Sequence, residues 1–76
     1  MTHTTPTPHS IADAALARGD KRSSEYRAGL IDVLELKLNG NSINCPFKQG
    51  SAQCDAYFLG NDRGWAVWRN WKEANK

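Results

Sequence analysis

Few residue types in this chain could do covalent or acid–base chemistry. Among its 76 residues are two cysteines, Cys45 and Cys54, and two histidines, His3 and His9. Both histidines fall in the segment MTHTTPTPHS, which is rich in threonine and proline, has no hydrophobic period and is expected to be disordered. Neither cysteine therefore has a base positioned to activate it. We expect both thiols to be packing residues.

The carboxylates and glycines offer no stronger catalytic pattern. Asp55 and Asp62 are spaced to share one face of a helix, but no water-excluding pocket is indicated around them. The spacing of the two cysteines fits no zinc motif, and no glycine-rich loop could hold a phosphate. The sequence predicts a protein that is not an enzyme and that carries no cofactor and no metal.

Length and charge narrow the class further. A chain of 76 residues is at most one domain, and its hydrophobic content is 39%. Ten basic and eight acidic residues give a net charge of +2, well short of the dense positive field of a dedicated nucleic-acid binder. No apolar run is long enough to span a membrane, and because no basic n-region followed by an apolar h-region opens the sequence, no secretory signal is expected. The expected location is the cytoplasm, where a structural disulfide is not expected.

Helix signals divide the chain into four parts. We expect a disordered tail over 1–10 and one small helical domain over 11–76. A first helix over 11–18 would be capped by Ser10 and stopped by Gly19. The fold class is all-α: this short helix is followed by an antiparallel hairpin of two longer ones, 24–38 and 51–73.

The second helix has a competing interpretation. Tyr26, Leu30, Val33 and Leu34 recur at helical spacing, and Ser23 or Ser24 can cap the segment. However, ELKLNGNSIN alternates around Asn39-Gly40, a pair that favours a β-hairpin turn. Helix is the favoured interpretation, with the glycine as its stop.

The stretch AYFLGNDRGWAVWRNW (56–71) concentrates aromatic residues and holds two glycines. On a helix capped by Ser51, the residues Ala56, Gly60 and Gly64 form a ridge of small side chains. Each glycine costs about 1 kcal/mol relative to alanine in a helix interior. A closely packed neighbouring helix offsets this cost, and Ala28-Gly29 is the expected counterpart.

The same helix carries more large rings than a small core can bury. Tyr57, Phe58, Trp68 and Trp71 are expected to be mainly core. One or two rings, Trp65 or Trp71 first, should remain partly exposed and available to a partner or a base.

Several motifs occur in an order that resembles the ribosome modulation factors. Tyr26-x-Ala28-Gly29 lies on a helix, Cys45-Pro46-Phe47 lies in the following loop, and Tyr57-Phe58-Leu59-Gly60 opens a tryptophan-rich helix. The resemblance covers about 26–72. It implies that the protein binds the ribosomal RNA of the small subunit and silences ribosomes by pairing them during starvation. This function is binding alone, with no catalysis.

Basic residues cluster around the break before the second helix and along the last helix. With the neighbouring aromatic residues and the Cys-Pro-Phe loop, they could contact phosphates and stack on unpaired bases. The candidate RNA- or partner-binding residues are Arg22, Tyr26, Arg27, Pro46, Phe47, Lys48, Arg63, Trp65, Arg69 and Trp71. An ordinary solvated surface is the competing interpretation, because acidic residues are interleaved with the basic ones. Two other functions remain open: a regulatory module that presents an aromatic helix face to a protein partner, and a homodimer that pairs through its aromatic residues and glycine ridge.

Overall fold

The computed structural model describes residues 7–16 and 23–74, and those ranges contain three α-helices and no strand. Helix α1 spans Pro8–Ala15, α2 spans Ser24–Asn39 and α3 spans Ala52–Ala74. The all-α class is confirmed, and the two longer helices lie within one residue of their expected bounds.

Helix α1 begins earlier than expected, so the prediction of a disordered segment up to residue 10 is wrong for its last four residues. The N-cap is Thr7, not Ser10. The Thr7 hydroxyl accepts a hydrogen bond from the Ser10 N–H at 3.0 Å, and the Ser10 hydroxyl accepts one from the Thr7 N–H at 3.0 Å. Pro8, which lacks an N–H, occupies the first helical position, where none is needed. The expected stop at Gly19 and the start of the tail, 1–6, lie outside the described residues.

Helix α2 settles the ambiguity at Asn39-Gly40 in favour of a helix stop. The Ser23 hydroxyl caps its start by accepting the Tyr26 N–H at 3.2 Å. At its end Gly40 has φ 74°, a left-handed conformation that glycine adopts without steric cost. Ser51 caps α3 in the expected way, since its hydroxyl accepts the Cys54 N–H at 3.1 Å.

The glycine ridge is confirmed at the contact between α2 and α3. A Cβ placed on Gly60 would overlap the carbonyl oxygen of Tyr26 and lie 2.8 Å from its carbonyl carbon. A Cβ on Gly29 would overlap the carbonyl oxygen of Tyr57 in the same way, 2.9 Å from the carbonyl carbon. The two backbones are therefore in direct contact, and only glycine fits at either position.

The expected antiparallel arrangement of these two helices is wrong. After the contact of Tyr26 with Gly60, the next turns bring Gly64 against Val33, and beyond them Lys37 of α2 lies over Trp65 of α3. Beyond the crossing point, where Tyr26 meets Gly60 and Gly29 meets Tyr57, the contacts thus advance in the same direction along both helices. In an antiparallel pair, Val33 and Lys37 would lie far from Gly64 and Trp65. Helices α2 and α3 therefore run in the same general direction where they cross, which we call a same-sense crossing.

The connection over 40–51 makes this crossing possible. Helix α2 is about 24 Å long at 1.5 Å per residue. Twelve extended residues can reach roughly 40 Å, which is enough to return the chain along α2 before α3 starts. The carbonyl oxygen of Asn44, in this loop, already lies 3.2 Å from the Tyr57 hydroxyl, beside the middle of α2.

The core lies where the three helices meet. Its buried apolar residues are Ile11, Ala12, Tyr26, Leu30, Val33, Leu34, Cys54, Tyr57 and Val67. Of the four rings of α3 expected in the core, only Tyr57 is fully buried; Trp68 and Trp71 are half-buried. Phe58 is 51% exposed, so its assignment to the core is wrong. It lies about 100° around the helix from Tyr57, off the buried face of α3.

Candidate nucleic-acid interface

One flank of α3 carries aromatic and basic side chains together. Phe58, Trp65 and Arg69 are spaced to share one face of this helix, and Lys37 of α2 joins them. We call these four residues the aromatic–basic strip. It contains two of the expected binding residues, Trp65 and Arg69.

The centre of the strip is a cation–π pair. The Lys37 ammonium lies 5.0 Å from the centre of the Trp65 ring, a distance at which a cation is attracted by the negative face of the indole. Trp65 is half-buried and Lys37 is exposed. Arg69 follows Trp65 by one helical turn and is also exposed. The strip therefore offers a ring with two cations beside it, the combination that stacks on a base and contacts its phosphates.

The Cys-Pro-Phe loop is held on the core by Tyr57. The Tyr57 hydroxyl donates a hydrogen bond to the carboxylate of Asp32 and lies 3.2 Å from the carbonyl oxygen of Asn44. Burial, followed by the hydrogen bond and charge of Asp32, raises the pKa of Tyr57 above its usual range. The Phe47 ring packs edge-on against Tyr57, with ring centres 6.1 Å apart at 67°.

The loop's other two candidate residues remain on the surface. Pro46 and Lys48 are exposed on either side of the half-buried Phe47. The phenyl ring of Phe47 thus anchors the loop, while its neighbours face solvent.

Two further candidates lie away from the strip. Arg63 and Trp71 line an open groove of about 560 Å³ between α1 and α3, whose floor includes Ala15 and Val67. Trp71 also stacks on Trp68, with ring centres 5.4 Å apart at 16°. The structure therefore divides the expected α3 residues between two flanks and does not unite them in one surface.

The three candidate binding residues around the start of α2 do not form part of the strip. Tyr26 is 8% exposed and belongs to the core, so the expected stacking on a base is wrong for this ring. Arg27 forms an ion pair with Asp13, which joins α2 to α1. Arg22 lies outside the described residues.

Lys37 and Phe58 were missed by reasoning from sequence. The aromatic character of Phe58 predicts a core position, although its helical angle departs from that of the buried face. Lys37 carried no signal at all, because an antiparallel pair would place it far from Trp65. Only the same-sense crossing of α2 and α3 brings these two side chains together.

The cysteines are closer than the sequence suggested. The two sulfur atoms lie 3.0 Å apart. Cys54 is buried and Cys45 is half-buried, and both are free thiols. In the described ranges no three metal-ligating side chains converge.

Comparison with protein-family models, with curated proteins and with solved structures finds no match to this chain. No helix in the described part of the chain is long and apolar enough to cross a bilayer.

Proposed function

We propose that this protein is a non-catalytic RNA-binding modulator of the ribosome, which contacts small-subunit rRNA through the aromatic–basic strip and acts in the cytoplasm. The single observation that carries the proposal is the Lys37–Trp65 pair, with its ammonium 5.0 Å from the ring centre and Arg69 one turn away. The resemblance of 26–72 to the ribosome modulation factors supports the same function.

The modest charge of the protein fits a partner that supplies unpaired bases as well as phosphates. With a net charge of +2, few phosphates can be neutralised. Stacking of a base on an aromatic side chain contributes about 1–3 kcal/mol without neutralising a phosphate. An exposed single-stranded rRNA segment therefore suits the strip better than a regular duplex, whose bases are stacked on one another.

A test begins with sedimentation of cell extracts at about 50 mM and about 200 mM salt, from both growing and starved cells. The protein is expected in the small-subunit or whole-ribosome fractions, with less bound at the higher salt. Its absence from every ribosomal fraction under all four conditions would contradict the proposal.

Two charge-matched variants locate the binding surface. Arg69→Gln removes a cation from the strip, whereas Arg63→Gln removes one from the opposite flank of the same helix. With purified small subunits, Arg69→Gln should weaken binding and lower the slope of log affinity against log salt by about 1. Arg63→Gln should bind like the wild type. Equal losses from both variants would indicate general attraction to RNA and would contradict the strip.

A protein partner is the second candidate, and one observation favours it. Phe58 and Leu59 are adjacent large hydrophobic residues that remain 51% and 60% exposed. Leu59 lies about 100° around α3 from Phe58 and is not one of the four strip residues, so Leu59→Glu separates the two functions. This variant should leave ribosome binding intact, whereas it should abolish association with a protein that docks on the Phe58–Leu59 pair. The same variant, examined by sedimentation equilibrium, also tests pairing between two copies of the chain.

A further inference from the structure

The thiols of Cys45 and Cys54 form a pair in which each sulfur has the other as its neighbour. Their sulfur atoms lie 3.0 Å apart, within hydrogen-bonding distance of each other. Cys45 lies in the loop just before Pro46, and Cys54 lies in the first turns of α3. A disulfide brings the sulfurs to about 2.05 Å, so closure requires the two sulfurs to approach each other by roughly 1 Å.

We propose that Cys45 and Cys54 are a redox-controlled pair that closes an intramolecular disulfide and ties the Cys-Pro-Phe loop to the start of α3. This inference is independent of RNA binding. The ring that closes would contain the residues 45–54, and within it lies Phe47, which packs on Tyr57.

The environments of the two sulfurs assign their roles in the reaction. Cys45 is half-exposed and can meet an oxidant, whereas Cys54 is only 3% exposed. The hydrogen bond with Cys45, then burial, raises the pKa of Cys54, so the buried thiol keeps its proton longer. Cys45 is accordingly the attacking sulfur and Cys54 the resolving one.

The oxidant is a small-molecule disulfide of the glutathione class. The Cys45 thiolate attacks one sulfur of the oxidant, forms a mixed disulfide and releases the first glutathione thiolate. Cys54 then loses its proton, and its sulfur attacks the Cys45 sulfur and displaces the second glutathione thiolate. Two protein thiols are oxidised, one disulfide is reduced to two thiols, and the two protons pass to the released thiolates.

A zinc site at the same place does not fit the residues. Structural zinc takes four ligands, usually cysteine or histidine. The chain has only these two cysteines, and no third ligating side chain joins them within the described residues. Oxidation to a disulfide needs no further ligand.

The test uses the full chain, incubated with oxidised glutathione, blocked with iodoacetamide and digested with trypsin without reductant. Trypsin cuts after Lys37, Lys48 and Arg63, so the cysteines fall in separate peptides, 38–48 and 49–63. The expected product is one species in which these peptides are joined, from a protein that runs as a monomer without reductant. Two separately alkylated peptides, or peptides joined only between two chains, would overturn the proposal.

Thermal melting tests whether closure constrains the fold. Closing a ring of this size restricts the unfolded chain, and oxidation should raise Tm by on the order of 10 °C. Cys45→Ser and Cys54→Ser are the matched controls, since each keeps one thiol and cannot close the ring. Their Tm should not respond to the oxidant when the chain is kept monomeric. A joined peptide pair with an unchanged Tm would overturn the claim that the bond ties the loop to α3.

Discussion

Gly60 of α3 lies directly against the backbone of Tyr26 on α2, so close that a Cβ on the glycine would overlap the Tyr26 carbonyl oxygen. The relation is reciprocal, because Gly29 of α2 meets the carbonyl group of Tyr57 on α3. Each helix thus contributes one Tyr-x-x-Gly segment to the crossing. This approach brings Cα–H groups next to carbonyl oxygens, a weakly favourable contact, and it buries the tyrosines on either side.

Replacing Gly60 tests this contact, because the sign of the change in the free energy of unfolding depends on how closely the helices approach. In an unconstrained helix interior, Gly→Ala stabilises by about 1 kcal/mol. Here Gly60→Ala should instead destabilise by about 1–3 kcal/mol because the helices must separate, and Gly60→Leu should abolish the cooperative melt. Gly29→Ala should behave like Gly60→Ala. Urea unfolding gives the free energies, and a stabilised Gly60→Ala protein would contradict the close approach.

Gly40 tests the helix stop at Asn39-Gly40. Its φ of 74° lies in the left-handed region, and a side chain there would meet no atom within 4 Å. The cost of substitution is therefore conformational alone. Gly40→Ala should lower the free energy of unfolding by about 1–2 kcal/mol. Gly40→Asn should lower it less, because asparagine tolerates this conformation. Equal losses in thermal or urea unfolding would argue against a left-handed cap.

Stability at alkaline pH should depend on Tyr57. Its folded pKa is raised above the ordinary value of 10.0 by burial and by the Asp32 hydrogen bond. The unfolded chain loses this proton near pH 10 while the folded chain keeps it. The contribution to stability is therefore complete below that pH and falls as the pH rises further, by up to about 1.4 kcal/mol per pH unit.

Tyr57→Phe is the matched variant for this pH dependence. Without the hydroxyl, it should lose about 1–3 kcal/mol at neutral pH, because the Asp32 and Asn44 contacts are gone. It should then decline less than the wild type from neutral pH to about pH 11. Urea unfolding across this range gives both curves. Two curves that stay parallel would show that Tyr57 does not cause the loss of stability at alkaline pH.

Helix α1 should be held by its buried residues rather than by its ion pair. Ile11 is 7% exposed in the core, whereas the Arg27–Asp13 pair is partly solvated, with side-chain exposures of 38% and 62%. Ile11→Ala should cost about 2–5 kcal/mol. Asp13→Asn should cost at most about 1 kcal/mol. Chemical unfolding compares the two variants, and the reverse order would assign the docking of α1 to electrostatics.

Trp65 should affect binding more than folding. Trp65→Ala removes the stacking surface and the partner of Lys37, so affinity for small subunits should fall by about 1–3 kcal/mol. Trp65→Phe keeps a ring and should retain most of the affinity. Both should melt cooperatively, since Trp65 is only half-buried. Affinities from filter binding, set beside circular dichroism melts, separate the two effects, and a Trp65→Ala protein that binds normally would contradict the strip.

Much of the local structure follows from the sequence, because it depends on neighbouring residues. The helical spacing from Tyr26 to Leu34, the serine caps and the glycine after Asn39 place α2 almost to the residue. The spacing of Gly60 and Gly64 by itself indicates a close helix contact. The start of α1 does not follow from composition, because a proline-rich segment also fits disorder; the Thr7–Ser10 capping box is the local signal that places it.

The tertiary structure decides which distant residues meet. Helix spacing gives the buried face of α2 and of α3, but either sense of crossing can bury those faces, and a twelve-residue connection permits both. The same-sense crossing places Lys37 over Trp65 and buries Tyr26, and the returning loop places Cys45 beside Cys54. These contacts depend on the path of the connecting chain, which no local pattern of side chains specifies.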